Sequence, residues 1–298
     1  MEARAIKRIN RIFHDEEAKF YDERHPEIER ERRNWDYAVN RHLPSIRKGL
    51  RILDIGTGTG FVPSIIDKYL DGGLIVCADI SKQMLQNARA NFGLLKSHFE
   101  FVICDAETIP LKDESIDIIT INSTLHHIPD YNKFLDEISR TLSKRGVVFI
   151  MHEPNKLFYN SWILHKMNRV CRVYLSFKSK FEKNRKRKPK ETGLYERVNQ
   201  RLINENVIPH PLSPRELQSL VDIHSPTASG ITDRNKGFIP ERIASHIRDL
   251  SIVELKTYNH LGKIDPNKDI VCFLLSFLLA KIFRRKGYLF SMVLARPT

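Results

Sequence analysis

Apolar positions along the chain follow two periods. In residues 1–43, Ile6, Ile9, Phe13, Ala18 and Tyr21 recur at three- and four-residue steps. That spacing predicts helix. A strongly charged stretch, 22–33, interrupts it, and a second helical face begins with Trp35, Val39 and Leu43. From residue 52 the pattern changes to short apolar runs rich in Ile and Val, at 52–55, 74–78, 99–103, 116–121 and 147–151. Runs of this length without strict alternation predict strands buried on both faces. Helical patterns separate them: 61–70, the segment after Ser81, and 133–142 with Phe134, Leu135, Ile138 and Leu142 on one face. Strands alternating with helices predict an α/β fold with a parallel sheet. Asp71-Gly72-Gly73 and Arg145-Gly146 read as turns. Further candidate strands come late, at 252–258 and 288–295. In the roughly hundred residues before them, 162–177 predicts an aromatic-rich helix and Ser213-Pro214 a helix start, with Ser as cap and Pro in the first turn.

The candidate chemistry gathers where strands end. Arg51 opens the stretch RILDIGTGTGF, in which Asp54 precedes Gly56, Gly58 and Gly60, and a helical pattern with Pro63 in its first turn follows. Strand, glycine loop and helix let backbone approach a ligand closely, because glycine lacks a Cβ and a helix N-terminus offers free N–H groups. The glycines run G-x-G-x-G, with Phe61 where a dinucleotide fingerprint would place its third glycine, and no Lys-Ser/Thr pair closes a P-loop. The second strand ends at Asp79, about twenty residues on, where a carboxylate either accepts two ribose hydroxyls or caps the next helix. The fourth strand leads into NSTLHHIPD, whose His126 and His127 are candidates to take a proton from an acceptor, or to belong to a loop that works through its backbone. After the fifth strand, Glu153 either orients an acceptor or base or is an ordinary strand-end polar residue.

These stretches, LDIGTGTG, CDAETIPLKDESID and LHHIPD, resemble class I S-adenosylmethionine (SAM) dependent methyltransferases, and among them the ubiquinone and menaquinone biosynthesis group. The likeness covers about residues 45–155 and touches the late strands weakly. It implies a Rossmann-like, seven-stranded, mostly parallel sheet with helices on both faces, the seventh strand antiparallel between the fifth and sixth. It also implies an N-terminal helical lid (1–44), a SAM-binding core (45–155), a mainly helical and basic insertion between strands five and six (156–250), and a last segment (251–298) completing the core. By this resemblance Gly56, Gly58 and Gly60, with Thr57 and Asp54, surround the methionine part of SAM; Asp79 with Ile80 holds the ribose; and Met84, Asp105 and Ala106 meet the adenine. Asn122 lies at the methyl end, with His127, His126 and Tyr21 as catalytic candidates. Tyr21 is equally readable as a packed helix aromatic. The reaction implied is in-line displacement of the methyl group onto a small or lipophilic acceptor. A scaffold that has lost catalysis, and an enzyme acting on RNA or protein, are the competing readings.

Charge changes the picture for the second half only. Residues 1–150 carry 22 Lys+Arg against 23 Asp+Glu, whereas 151–298 carry 27 against 13. From Lys178 to Lys190 there are eight basic residues and one Glu. The longest apolar run, 270–280, reads as the last core helix covered by the insertion, or as a helix lying on a membrane with its basic end, up to Lys286, on headgroups. Peripheral membrane contact through these two runs is therefore a candidate. Nucleic acid is disfavoured because the Asn- or Asp-Pro-Pro-aromatic pattern of base methyltransferases is absent after strand four, which reads Asn122-Ser123-Thr124-Leu125. Four cysteines without a C-x-x-C pair suggest reduced thiols and no metal site. A charged N-terminus without a signal-peptide core, and no run near twenty apolar residues, give a cytoplasmic expectation.

Overall fold

A computed structural model describes residues 2–26, 28–43, 48–93, 95–181, 193–228, 230, 232–247 and 249–296. Three helices open the chain: α1 (Ala3–Glu17), α2 (Tyr21–Arg24) and α3 (Arg32–His42). The core follows as β1 (Lys48–Ile55), α4 (Phe61–Ile66), β2 (Asp71–Asp79), α5 (Lys82–Asn91), β3 (His98–Ile103), β4 (Ile116–Asn122), α6 (Tyr131–Thr141) and β5 (Leu142–Pro154). Five helices intervene among the described residues, α7 (Lys156–Tyr159), α8 (Trp162–Phe181), α9 (Leu194–Asn204), α10 (Pro214–Val221) and α11 (Pro240–His246). The chain then closes with β6 (Ser251–Tyr258), α12 (Ile270–Ile282) and β7 (Leu289–Ala295).

The seven strands form one sheet in the order β3-β2-β1-β4-β5-β7-β6. Strands β1 to β5 pair in parallel, and β7 runs antiparallel between β5 and β6, as the resemblance implies. Alternate residues of the central strands serve opposite faces. Leu53, Ile119 and Val148 pack under α6 and α11 through Phe134, Ile138 and Ile243. Ile52, Ile118 and Phe149 pack under α3, α4 and α5 through Trp35, Ile65 and Ala88. The strand order reverses between β1 and β4, and ligands bind such sheets outside the strand C-termini at that reversal.

Two expected turns are strand instead. Asp71-Gly72-Gly73 begins β2 and pairs with β1 from Lys48 to Leu50. A Cβ on Gly73 would lie 2.6 Å from the Leu50 carbonyl oxygen, so glycine serves close strand pairing there. Arg145-Gly146 lies inside β5, which begins at Leu142 with an irregular register against β4 between Ile116 and Ile118.

The segment between β5 and β6 is helical, with its parts packed on different partners. Helices α9 and α10 cover α1, burying Ile9, Ile12 and Phe13 against Val198, Leu202 and Leu217. Ser213 and Glu216 form a reciprocal capping box at the start of α10, with Pro214 in its first turn. Helix α8 packs on α12 through Leu164, Cys171, Cys272 and Leu279. Helix α12 therefore does not complete the core of the sheet: one stripe meets α8, and Ile270, Val271, Phe273, Leu274, Phe277, Leu278 and Ile282 are exposed. Of the basic run from Lys178 to Lys190, residues 182–190 lie outside the described residues. No helix among the described residues is long and apolar enough to cross a membrane.

Candidate active site

The β1 loop is tied to the end of β2. The N–H groups of Gly56 and Thr57 donate to the Ala78 carbonyl, at 2.9 and 3.1 Å. Asp79 then accepts the Gly58 N–H at 2.9 Å and the Ser81 N–H at 2.8 Å, one on each carboxylate oxygen. The Ser81 hydroxyl, not Asp79, caps α5 by accepting the Met84 N–H. Asp79 thus braces the glycine loop against α5 while lining the crevice between them. Burial raises its pKa, against the two backbone N–H groups and the field of His14, while Asp15 adds to the rise.

Gly56, Gly58, Ile80 and Met84 line the same crevice, as do Asp105, Ala106 and Asn122. Thr57 lines an adjoining depression, and Asp54 and Gly60 line neither. Asp54 is buried behind the loop, where it accepts the Thr120 hydroxyl at 2.5 Å. Burial pushes its carboxyl up to about 7, with Asp79 adding and the hydroxyls of Thr120 and Thr57 opposing. Asn122 is fixed by α3, since its side-chain oxygen accepts the Trp35 indole N–H at 2.9 Å.

Helix α1 closes one side of the crevice with Lys7, Asn10 and His14. The Lys7 ammonium lies 2.6 Å from Asp105 and also pairs with Glu107. Asp105 accepts the Glu107 N–H on its other oxygen, so its charge is already partnered. Asp15 anchors the same helix, accepting the Ser81 hydroxyl at 2.7 Å and pairing with Arg201 of α9 at 3.1 Å.

A second chamber adjoins the first and shares His14, Tyr21, Ser123 and His127 with it. His25, His126 and His152 line it too, with Glu17 and Asp222. Glu153 organises the β4 loop here. Fully buried, it accepts the N–H groups of Thr124 (2.7 Å) and Leu125 (2.8 Å) on one oxygen and holds His126 Nδ1 at 2.8 Å on the other. Burial opposes charge on His126, but Glu153 and then Asp222 raise its pKa above the ordinary imidazole value. His127 goes the other way: burial and the neighbouring His126 and His14 hold it well below. Its Nδ1 lies 3.0 Å from the Val221 carbonyl, which can only accept, so Nδ1 carries the proton and Nε2 is left with its lone pair. Among the described residues, His126, His127 and Asp222 also offer ligand atoms within 4.8 Å of one another, a spacing that a divalent cation could bridge.

Residues 53–150 match the family model described as "Methyltransferase domain". By that match this stretch is similar to class I SAM-dependent methyltransferase domains. The ubiquinone/menaquinone biosynthesis C-methyltransferase UbiE of Cronobacter sakazakii is 30% identical over 135 residues, which are 42% of this chain and 53% of that one. The UbiE of Escherichia coli (strain K12 / DH10B) is 29% identical over the same length and shares. The chain thus spans about half the length of the curated relatives it matches. Among solved structures, the complex between the Haloferax volcanii Trm112 methyltransferase activator and the putative methyltransferase aligns over 95% of this chain and 97% of that one. Its TM-score is 0.52 at 15% identity, a likeness of fold.

The crevice has room for SAM, the cofactor of the domains this stretch is similar to. A Cβ built on Gly58 would meet nothing closer than the Gly56 carbonyl at 4.0 Å, so the glycine leaves open space facing the crevice. Asp79 presents its carboxylate to the same space. Sequence reading did not find Lys7, Asn10 and His14, because a helix contributes to a distant crevice through tertiary packing that periodicity does not encode. It also did not find Asp222, which α10 brings beside His127 at 3.3 Å from more than ninety residues away. The Glu153 signal was present, a carboxylate at a strand C-terminus, and the structure makes it the organiser of the histidine loop.

Proposed function

We propose that the chain transfers a methyl group from SAM to a small or lipophilic acceptor seated in the histidine-lined chamber. The observation that carries this reading is the junction: crevice and chamber meet at Tyr21, His14, Ser123 and His127. A donor held in one and an acceptor held in the other face each other there. SAM supplies an electrophilic methyl group on a sulfonium leaving group, so the protein's main task is alignment. Gly58 leaves room for the methionine portion, Gly56 lets the loop pack against Thr124, and Asp79 keeps lone pairs free for two hydroxyls while it braces the loop. Ile80 and Met84 line the wall along the adenosine, and the Ala106 N–H and Asp105 stand at its base end. Asp105 serves there together with Lys7, which makes that end of the site a charge pair.

Proton removal falls to His127. Its depressed pKa keeps it neutral across the physiological range, and its free Nε2 can accept a proton from an acceptor hydroxyl or amine. His126, held by Glu153, positions the loop and supplies positive charge beside it. The assay is transfer of labelled methyl from SAM into fractionated lipid, small-molecule, protein and RNA pools. Label in the lipid or small-molecule pool is expected. Label confined to protein or RNA, or no transfer despite SAM binding, overturns the acceptor assignment or catalysis itself. His127→Gln should lower kcat on the order of a hundredfold. Unchanged turnover at every pH would remove His127 from the mechanism.

A further inference from the structure

The apolar run of α12 is half of a larger surface. Along α12 the exposed residues fall at 270, 271, 273, 274, 277, 278 and 282, a helical face covering about half the circumference at 3.6 residues per turn. Phe277 and Ile270 are 56% and 68% exposed. Helix α8, packed beside it, adds Trp162, Ile163, Val170, Val173, Tyr174 and Phe177, which share a sector of about 120°. Trp162 and Phe177 are 67% and 60% exposed. Single exposed apolar residues are ordinary, but thirteen on two packed helices make a contiguous patch that must meet something.

The charge around the patch identifies the occupant. Residues 162–178 and 270–288 contain eight Lys or Arg and no Asp or Glu. Lys166, Arg169 and Arg172 are exposed along α8, and Lys281, Arg284, Arg285 and Lys286 are exposed at the end of α12. The Lys281 ammonium lies 4.4 Å from the Phe277 ring centroid, an apolar stem on the patch with its charge at the rim. A cavity of about 660 Å³ runs along the edge of α8, lined by Lys166, Arg169, Arg172 and Lys263. His165 Nε2 is buried beside it without a hydrogen-bond partner. None of its lining residues belongs to the crevice or the histidine chamber. Lys178 pairs with Asp269 and Arg285 with Glu241, but a second copy of this chain would still bring Lys166, Arg169, Arg172, Lys281, Arg284 and Lys286 toward the same cations across a two-fold axis, which argues against self-association.

We infer that α8 and α12 dock this protein on the surface of an anionic lipid bilayer, with the apolar faces in the acyl boundary and the flanking cations and basic groove on phosphate headgroups. Neither helix is both long and apolar enough to span, so the contact is interfacial. The inference does not rest on methyl transfer, since neither helix lines the crevice or the chamber.

The test is sedimentation of the full chain with vesicles of phosphatidylcholine alone, and of phosphatidylcholine with phosphatidylglycerol at about three to one, with SAM binding measured in parallel as a check on the fold. The wild-type protein should bind the anionic vesicles at least about tenfold more tightly than the neutral ones, and lose that preference as salt rises. Phe277→Ser with Leu278→Ser should weaken binding on the order of tenfold or more. Arg169→Glu with Arg172→Glu should abolish the anionic preference. Both variants should bind SAM as the wild type does. A wild-type protein left in the supernatant with both vesicles overturns the inference. So does undiminished binding by the serine variant, or a stable dimer that the same serine changes dissolve.

Discussion

Gly56 and Gly58 are two residues apart and both have positive φ, yet alanine at each should fail in a different way. At Gly56, φ is +68°, and an added Cβ would lie 2.2 Å from Thr124 Oγ1 and 2.4 Å from its Cγ2. Thr124 cannot swing aside: its hydroxyl donates to the Asn122 carbonyl at 2.9 Å and its N–H to Glu153 at 2.7 Å. The left-handed backbone costs about 1–2 kcal/mol, and the overlap adds about 1–3 kcal/mol. Gly56→Ala should therefore destabilise the fold by about 2–5 kcal/mol. At Gly58, φ is +54° and the Cβ has open space. Gly58→Ala should cost only the backbone term, about 1–2 kcal/mol, but its methyl group enters the cofactor crevice and should weaken SAM binding at least about tenfold. Denaturant unfolding gives the first quantity and calorimetry the second. Equal loss of stability in the two variants, or full SAM affinity in folded Gly58→Ala, would refute the reasoning that one glycine serves packing and the other the ligand.

Other expectations follow from buried charge. Asp54, whose folded pKa is raised to about 7, binds more protons folded than unfolded between about pH 4 and 7. Its contribution is therefore fully present below about pH 4 and is lost as pH rises through 7, a swing on the order of 4 kcal/mol. Asp54→Asn should flatten that slope in denaturant melts taken across pH, and an unchanged slope would show that Asp54 ionises freely. Glu153→Gln removes the charge that raises His126, so the His126 imidazole should titrate lower by NMR, and the Thr124–Leu125 N–H groups should exchange faster. An unmoved His126 titration would assign its shift elsewhere. With His127 depressed, kcat/KM for the acceptor should show no falling limb near pH 6.5 as pH drops through it; a limb at that value would identify an ordinary imidazole as the base.

Most of the sheet was legible because buried strands leave dense apolar runs whatever packs on them, as at Ile52–Leu53 and Ile118–Ile119. The glycine loop was legible because positive φ and tight surroundings exclude side chains: a Cβ would strike Thr124 at Gly56 and Phe92 at Gly60, while Gly58 faces the open crevice. Asp71-Gly72-Gly73 misled because glycines that permit close strand pairing look, in sequence, like glycines that permit a turn. Helix α12 misled for a different reason. A periodicity names the buried face only where polar residues mark the other, and nearly every position from Ile270 to Ala280 is apolar. The lid came from the resemblance alone, and its contacts lacked a local signal: Lys7 reads as one more charge on a charged helix until α1 lies over Asp105.

The central claim is that the crevice between the glycine loop and Asp79 takes the adenosyl group of SAM. Calorimetric titration of SAM into the wild-type chain and into Asp79→Asn measures it directly. The account expects one site per chain in the wild type and affinity lower on the order of a hundredfold in the variant, since one acceptor of a paired set of charged hydrogen bonds becomes a donor. No heat of binding in the wild type, or equal affinity in a folded Asp79→Asn protein, would contradict it.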